Sequence, residues 1–296
     1  MGKTTATLTG FTAVLMWAML AMLSARSGTM PPFQLAAITF LIGGGLGLVS
    51  WAFRPGAAKS LRQPWQVWAL GVLGLFGYHY VYFSAIRAAP AVEVSLIAYL
   101  WPLFLVIFSA LLPGERLRLH HLVGVVLGLA GAVLVISRGD ITTMMGQFGK
   151  GHLLAFACAF IWSGYSVLSR RVAAVPTDVV AGYCLVTALL SALCHLALEE
   201  TVWPESMGQW LAILGLGLGP VGLAFYTLDV GVKRGDIMVL GASSYASPLL
   251  STLVLAAAGM VAFHWSIVAA CLLITLGAVI AAKDMIFRKR SPKTEG

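Results

Sequence analysis

The sequence predicts an all-α polytopic membrane protein with ten transmembrane helices, arranged as an inverted repeat of five plus five helices with both termini in the cytoplasm. Three observations lead to this fold class. The chain is far more apolar than a soluble domain, it contains ten separate apolar runs, and residues of rare types recur 145–146 positions apart. Together they indicate that lipid, rather than water, surrounds most of the chain.

Composition gives the first of these observations. Of the 296 residues, 59% are hydrophobic and only 10% are charged, whereas charged residues make up about 25% of a soluble domain. A soluble fold of this size could not cover so much apolar surface with polar groups. The four cysteines are scattered singly, without the spacing of a metal site or a disulfide framework. We therefore expect no metal and no cofactor.

The apolar runs give the second observation, since a membrane-spanning helix needs about 20 apolar residues. The ten runs cover residues 8–26, 33–53, 66–88, 91–112, 120–137, 151–169, 178–198, 210–232, 237–258 and 263–282. The first run resembles a signal peptide, but nine more follow it, so we interpret it as an uncleaved span. The connectors are short and rich in Gly, Pro and charge, which is typical of loops.

The positive charges predict the orientation. Fifteen of the 19 Lys and Arg residues fall on the side that carries both termini, and such residues collect in cytoplasmic loops. Both termini are therefore expected in the cytoplasm, in a multi-pass protein of the inner membrane. The net charge of +8 follows from this asymmetry, and no basic soluble face exists that would indicate a nucleic-acid partner.

An internal repeat gives the third observation. A shift of 145–146 residues aligns Trp17 with Trp162, Arg26 with Arg171, Tyr80 with Tyr226, Tyr99 with Tyr245 and Pro102 with Pro248. The chain thus divides into two repeats, 1–145 and 146–290, with 291–296 as the end of a basic cytoplasmic tail. Five spans are an odd number, so the second repeat must be inverted. Inverted repeats are a common plan of secondary transporters, with the substrate site between the repeats.

One stretch carries a family resemblance. Residues 85–117 contain Pro90-Ala91, Pro102 and Gly114-Glu115-Arg116. This run resembles the motif of the drug/metabolite transporter superfamily, EamA-like branch. The second copy, 232–250, matches more loosely, and Gly259-Met260-Val261 stands where the Gly-Glu pair would be. The resemblance implies a small-metabolite permease, often an exporter, and within the family the chain is most similar to bacterial aromatic amino-acid exporters.

Aromatic residues suggest where a substrate would bind. Trp and Tyr normally collect at the membrane interfaces, and five tryptophans at span ends fit that pattern. A second set lies near the middle of spans 1, 3, 4, 6 and 9. Each ring could simply fill protein core, but buried hydroxyl and indole N–H groups need partners at that depth. A watery cavity supplies partners, and span 5 instead carries Gly124, Gly128 and Gly131, which favours close helix packing.

We accordingly predict a set of substrate-binding residues: Trp17, Tyr78, His79, Tyr82, Tyr99, Trp101, Trp162, Tyr165, Ser244 and Tyr245. Pro102 and Pro248 are predicted to kink spans 4 and 9 and to assist gating, because proline cannot donate a backbone hydrogen bond. Trp101 has Ser247 as its counterpart in the second repeat, so we interpret it as a residue that selects the substrate.

Ionisable residues within spans are few. His79 could bind a substrate carboxylate, carry a proton, or serve only as a helix contact. Asp229 and Lys233 have the spacing of an i,i+4 ion pair at the interface, and Glu93 is expected in water near the outer end of span 4. The middle of the spans holds no Lys or Arg, which argues against phosphate-bearing substrates. A neutral or zwitterionic substrate with a large ring remains.

The predicted function is export or facilitated transport of aromatic and hydrophobic amino acids by alternating access, with facilitation slightly favoured over proton coupling. A permease for another uncharged metabolite or a lipophilic drug is the alternative within transport. An intramembrane enzyme would need a nucleophile with its base, or metal ligands, so we expect no enzyme. A purely structural membrane protein would leave the polar residues in mid-span unexplained. The expected partners are a small-molecule substrate and the bilayer, and the expected state is a monomer.

Overall fold

The computed structural model describes residues 1–54, 56–113, 116–137, 139–140, 149–260, 262, 265–281 and 283, and all regular structure within them is helical. Seven helical stretches are long and apolar enough to cross a membrane: Lys3–Arg26, Pro32–Ala52, Trp65–Ile86, Lys150–Arg171, Val179–Leu198, Met207–Arg234 and Ile237–Ala257. The apolar helices Leu119–Leu134 and Trp265–Ala281 are shorter. These stretches confirm the predicted class, an all-α protein with several membrane-spanning helices.

The described residues of the first half form eight α-helices. They are α1 (Lys3–Ala18), α2 (Leu20–Arg26), α3 (Pro32–Ala52), α4 (Trp65–Val72), α5 (Tyr78–Ile86), α6 (Ala91–Ala98), α7 (Trp101–Ser109) and α8 (Leu119–Ile136). A 3₁₀ turn, Ala57–Leu61, precedes α4, and a π-helical segment, Leu73–Gly77, joins α4 to α5. Helix α1 begins five residues before the predicted span, and within this extension the Thr7 hydroxyl donates to the carbonyl of Lys3.

The second half contains seven described α-helices. They are α9 (Lys150–Arg171), α10 (Val179–Leu198), α11 (Met207–Leu218), α12 (Ala224–Arg234), α13 (Ile237–Ser243), α14 (Ala246–Ala257) and α15 (Trp265–Ala281). A π-helical segment, Gly219–Leu223, joins α11 to α12. Of the sequence features noted above, Gly114, Glu115, Val261 and the tail 291–296 lie outside the described residues.

The two prolines that were expected to kink spans 4 and 9 instead follow breaks between helices. Helix α6 ends at Ala98 and α7 starts at Trp101, which makes Pro102 the second residue of its helix. Likewise α13 ends at Ser243, and Pro248 is the third residue of α14. Proline is tolerated in a first turn because the N–H groups there have no partner within the helix.

The two π-helical segments were not predicted from the sequence. Leu73–Gly77 and Gly219–Leu223 are the same length and lie 146 residues apart, which is the spacing of the sequence repeat. A π-helical turn widens the backbone and interrupts the regular i→i−4 bonding, and such turns are frequent at functional sites. Both segments lead directly into helices that carry central aromatic residues.

Glycines bring three pairs of helices into close contact. Helix α8 lies along α15, α3 along α10, and α1 along α12. A Cβ atom on Gly124 would come 2.5 Å from the carbonyl oxygen of Gly277, and one on Gly10 would come 2.8 Å from the Cα of Gly231. The close packing predicted for the glycines of span 5 is therefore confirmed at Gly124. Helix α9, which contacts α5, α6, α7 and α12, occupies the middle of this arrangement.

Candidate substrate-binding site

Three tryptophans from three helices meet where α1, α7 and α9 converge. The ring centroids of Trp17 and Trp101 are 6.3 Å apart, those of Trp17 and Trp162 are 6.0 Å apart, and those of Trp101 and Trp162 are 6.3 Å apart. The interplanar angles of 87°, 68° and 88° make every contact edge-to-face, a favourable geometry for aromatic pairs. These residues, called the tryptophan group below, are three of the predicted site residues.

The indole of Trp17 is fixed by the second π-helical segment. Its Nε1–H donates to the carbonyl oxygen of Pro220 at 3.0 Å. A buried indole N–H needs such a partner, since lipid offers none. The backbone irregularity at Gly219–Leu223 thus supplies an acceptor at the depth of the tryptophan group.

Tyrosines from α5 and α9 extend the tryptophan group. The ring of Tyr78 lies 5.3 Å from that of Trp162 and stacks on Tyr82 at 5.9 Å. The hydroxyl of Tyr82 is 3.4 Å from Ser95 Oγ, and the Tyr165 ring is 5.5 Å from Trp162. The side chains of Tyr78 and Tyr82 are half-buried, whereas Tyr165 is buried. These three predicted residues therefore adjoin the tryptophan group.

Tyr99 lies at the break between α6 and α7. Its side chain is half-buried, and its hydroxyl interacts with the side chain of Ser247 at the corresponding break in the second half. It is also close enough to Tyr82 for their electrostatic interaction to be appreciable. Tyr99 thus bridges the two interrupted helices on the side that faces the tyrosines of α5.

His79 is oriented by the first π-helical segment. Its Nδ1–H donates to the carbonyl oxygen of Leu75 at 2.7 Å, and its ring meets Phe40 edge-on at 5.0 Å. The neutral imidazole then presents Nε2 as an acceptor. Such a lone pair attracts N–H and O–H donors and repels a carboxylate. Through Phe40, His79 also contacts helix α3. A helix contact was one of the three roles that the sequence left open for it.

Two phenylalanines belong to the site although sequence reasoning did not select them. Phe225 lies 5.8 Å from Trp162 and stacks on Phe40 at 5.5 Å with an interplanar angle of 13°. Both rings are buried. A Phe ring has no polar atom to mark it as unusual in an apolar span. Only the internal repeat could have selected Phe225, because it stands 146 residues after His79 and is therefore its counterpart in the second repeat. The two rings lie 6.5 Å apart.

Ser244 and Tyr245 lie at the break between α13 and α14. Ser244 Oγ donates to the carbonyl of Leu240 at 2.7 Å, as hydroxyls in helices commonly do. The buried ring of Tyr245 packs against Gly128 of α8, which leaves space for it. Its hydroxyl faces the backbone of Leu103 but has no partner with hydrogen-bond geometry among the described residues.

Two ion pairs lie toward opposite ends of the molecule. The predicted Asp229–Lys233 pair is formed at 2.9 Å, but it is buried within the protein and not at a wet interface. Glu93, expected in water, instead pairs with His152, whose Nε2 lies 2.5 Å from its carboxylate. The Nδ1 of His152 accepts the N–H of Gly149, so the Nε2–H donates to Glu93. Within the described residues, no three His, Cys, Asp or Glu side chains cluster as metal ligands would.

Comparison with known proteins places this arrangement in a family. The model of the EamA-like transporter family matches the chain twice, at residues 4–137 and 149–282. The chain belongs to the EamA-like transporter family. Its resemblance to the EamA-like branch of the drug/metabolite transporter superfamily is thereby confirmed, and with it the expectation of a multi-pass membrane transporter.

Several proteins that are similar to this chain are named as exporters. The chain is 53% identical over 282 residues to the aromatic amino acid exporter YddG of Ancylobacter novellus, covering 95% of this chain and 98% of that protein. It is 24% identical over 258 residues to the exporter of the same name from Salmonella typhimurium, covering 83% and 86%. The pseudopaline exporter CntI of Pseudomonas aeruginosa is 30% identical over 166 residues, covering 55% of this chain and 56% of that protein.

A solved crystal structure has the same fold. It superposes with a TM-score of 0.89 at 51% sequence identity, and the match covers 97% of this chain and 100% of that chain. The helical arrangement described above is therefore the arrangement of a close relative as well.

Proposed function

We propose that this EamA-like transporter is an inner-membrane permease that exports aromatic and hydrophobic amino acids, or facilitates their movement, by alternating access. The observation that carries the proposal is the tryptophan group with its neighbouring tyrosines. A flat ring that enters between these residues can meet indole and phenol faces on several sides, with contacts worth about 0.5–1.5 kcal/mol per aromatic pair beyond area burial. The 53% identical relative named as an aromatic amino acid exporter supports the same substrate class.

The polar groups near the rings suit the backbone of an amino acid. Helix α6 ends at Ala98, and the last carbonyls of a helix have no partner within it, so this oxygen is able to accept from an ammonium group. The Nε2 atom of His79 is a second acceptor. Tyr82, Tyr99 and Ser95 offer hydroxyl donors to a carboxylate. The site we propose therefore binds a zwitterion without a buried Lys or Arg.

The architecture proposed for transport is ten spans in two inverted repeats, 1–145 and 146–290, with both termini in the cytoplasm. The matched π-helical segments and the matched breaks before Pro102 and Pro248 support it. So does the packing, in which α1 contacts α12 while α5 contacts α9. These are spans 1 with 8 and spans 3 with 6, the same contact in the two repeats.

A flux assay tests the proposal. Purified protein in liposomes should exchange labelled L-tryptophan and L-phenylalanine, and Trp101→Ala should lower the flux at least tenfold, which corresponds to about 1.4 kcal/mol of lost binding. Trp203→Ala is the matched control, because this tryptophan is 62% exposed and away from the tryptophan group. Equal flux in wild type and Trp101→Ala would overturn the assignment of the site.

A topology assay tests the orientation. A reporter fused after Gly296 should be active in the cytoplasm, and one inserted near Glu205 should be active outside. The opposite result at either position would contradict the proposed arrangement of spans.

A further inference from the structure

The carboxylate of Glu199, at the end of α10, connects three helices. Its side chain is only 3% exposed. Oε1 accepts a hydrogen bond from Nη2 of Arg87, the residue that follows α5, at 2.8 Å. Oε2 lies 3.1 Å from Nδ1 of His195, one turn earlier on α10. Burying a carboxylate costs several kcal/mol unless partners compensate for the lost water, and Glu199 has charged and polar partners on every side that these helices present.

Glu199 also completes the start of α3, which has no side-chain cap of its own. Its carboxylate accepts the backbone N–H groups of Phe33 and Gln34, each at 3.1 Å. Pro32 has no N–H, and the N–H of Leu35 donates at 2.9 Å to the carbonyl of the residue before the helix. The backbone donors of the first turn of α3 are thereby satisfied, and a negative charge is favourable at this end of a helix.

Phe33 carries the contact from Glu199 toward the proposed transport site. The centre of its buried ring lies 5.5 Å from the Arg87 guanidinium and 5.3 Å from the ring of Phe83, which it meets edge-on. The Phe83 ring in turn lies 5.9 Å from that of His79. His79, Phe83 and Arg87 follow one another at intervals of four residues along α5, so they share one face of this helix. Two phenyl rings therefore separate Glu199 from His79.

The second repeat has an equivalent connection. Lys233 stands 146 residues after Arg87, and its Nζ donates at 3.0 Å to a carbonyl oxygen in the connection before α10. Its partner Asp229 stands 146 residues after Phe83. Because Phe83 has no charge, the anion that pairs with Arg87 comes from another helix, as Glu199. In both repeats a cation thus ties the helix after the π-helical segment to the start of the second span.

We propose that Glu199 is a positioning residue for substrate binding, an inference that rests on the proposed function. Through Arg87 it holds the end of α5 against α3, and this contact fixes where His79 and Tyr82 stand beside the tryptophan group. Without the ion pair, α5 keeps its packing against α9. The helix then stays folded, but its polar side chains occupy a wider range of positions, so affinity for the substrate falls while the stability of the protein changes little.

Equilibrium binding of labelled L-phenylalanine to purified protein tests this role. Arg87→Met removes the ion pair and leaves the cap of α3 in place. Its Kd should rise about threefold to fivefold, the range open to a half-exposed ion pair. The maximal exchange rate in liposomes and the unfolding temperature should stay close to those of wild type. Arg87→Lys keeps the charge and should restore the wild-type Kd.

Arg54→Met is the matched control. The side chain of Arg54 is 51% exposed, against 47% for Arg87, and it pairs with Asp178 at 2.6 Å. This ion pair joins the opposite ends of the same two helices, the end of α3 and the start of α10, and does not include α5. Arg54→Met should therefore bind L-phenylalanine as wild type does. An equal rise in Kd in both variants would overturn the positioning role.

A double-mutant cycle shows whether Arg87 acts through Glu199. Glu199→Gln should itself raise Kd, and adding Arg87→Met to it should change Kd by less than about twofold, because the effects of residues in direct contact are not additive. A full second rise in the double variant, or a wild-type Kd in Arg87→Met, would overturn the positioning role. Absence of both binding and exchange of L-phenylalanine in wild-type protein would overturn the proposed function instead.

Discussion

At the scale of single residues, hydrogen bonds to irregular backbone decide how the central rings are held. Trp17 uses the carbonyl of Pro220 and His79 uses that of Leu75, and both carbonyls belong to π-helical segments. The carbonyl of Leu75 also accepts the backbone N–H of Tyr78, so it serves two donors. The two π-helical segments thus supply the acceptors that orient Trp17 and His79.

The Trp17 bond predicts a specific loss of stability. Trp17→Phe keeps an aromatic ring but leaves the Pro220 carbonyl without its donor, at a cost of about 1–3 kcal/mol. The unfolding temperature measured in detergent should fall by several degrees. Trp101→Phe is the control, because no hydrogen bond of the Trp101 indole occurs among the described contacts. An equal fall in both variants would mean that ring volume, not the bond, sets the stability.

Asp236 links stability to pH at the end of the molecule where it pairs with Lys3. Burial by itself raises the pKa of this carboxyl, but the hydrogen bond and charge of Lys3, with the Val239 N–H, outweigh burial and hold the pKa below its ordinary value. The ionised form therefore stabilises the fold above the unfolded-state pKa of about 3.9. This contribution is lost as the pH falls through the lower folded-state value.

The corresponding measurement is a series of thermal unfolding curves from pH 6 to pH 3. Wild-type protein should lose stability toward the acid end, and Asp236→Asn should lose less, because the amide cannot ionise. Asparagine can still cap α13 through its side-chain oxygen, so the variant isolates the charge from the cap. Parallel curves for both proteins would show that Asp236 does not contribute to the pH dependence.

At the scale of helices, the closest contacts depend on glycine. Where α1 meets α12, Gly10 and Gly231 stand opposite one another, and a Cβ on either would approach the backbone of the other to less than 3.0 Å. Backbone atoms cannot rotate away as a side chain can. This contact therefore fixes the distance between the two helices, one of which carries Trp17 and the other Phe225 and the Asp229–Lys233 pair.

Gly10→Leu is expected to separate these helices. Overpacking of a close contact costs about 1–3 kcal/mol and sometimes more, so the variant should unfold at a lower temperature and lose transport. Gly45→Leu is the control, because a Cβ at Gly45 would meet nothing within 4 Å. Leucine also favours helix over glycine, so the control should be as stable as wild type or more so. Normal stability of Gly10→Leu would contradict the contact.

At the scale of the whole molecule, the two interrupted helices meet on one side of their breaks. Helix α7 packs against α13, where a Cβ on Gly241 would lie 3.0 Å from Val106 Cγ2. On the other side of the breaks, α6 packs against α9, which α7 also contacts, and α14 packs against α1. In the proposed orientation, the contact between α7 and α13 closes the cytoplasmic half.

A cross-link across that contact should stop the transport cycle. With the native cysteines Cys158, Cys184, Cys194 and Cys271 replaced, Val106→Cys with Gly241→Cys brings two thiols within disulfide reach. Oxidation should reduce flux to background, and a reductant should restore it. Val106→Cys alone is the control and should transport under both conditions. Undiminished flux in fully cross-linked protein would show that this contact does not need to open.

The sequence could predict the all-helical membrane class because lipid requires long apolar spans. The Asp229–Lys233 pair follows from helical spacing alone. The π-helical segments could not be predicted, since no residue type encodes an added backbone residue. Phe40 and Phe225 were missed for the related reason that only tertiary packing distinguishes them from other apolar residues. Glu93 was misplaced because its partner, His152, is 59 residues away.

The tryptophan group has a consequence for spectroscopy. Three of the nine tryptophans stand with centroids 6.0–6.3 Å apart, close enough for electronic excitation to pass among them before light is emitted. The three rings therefore share their excitation, and most of the light is emitted by the indole whose excited state has the lowest energy. An aromatic molecule bound at the proposed site would change the polarity at all three rings together, so we expect ultraviolet emission to follow occupancy of that site without any added dye.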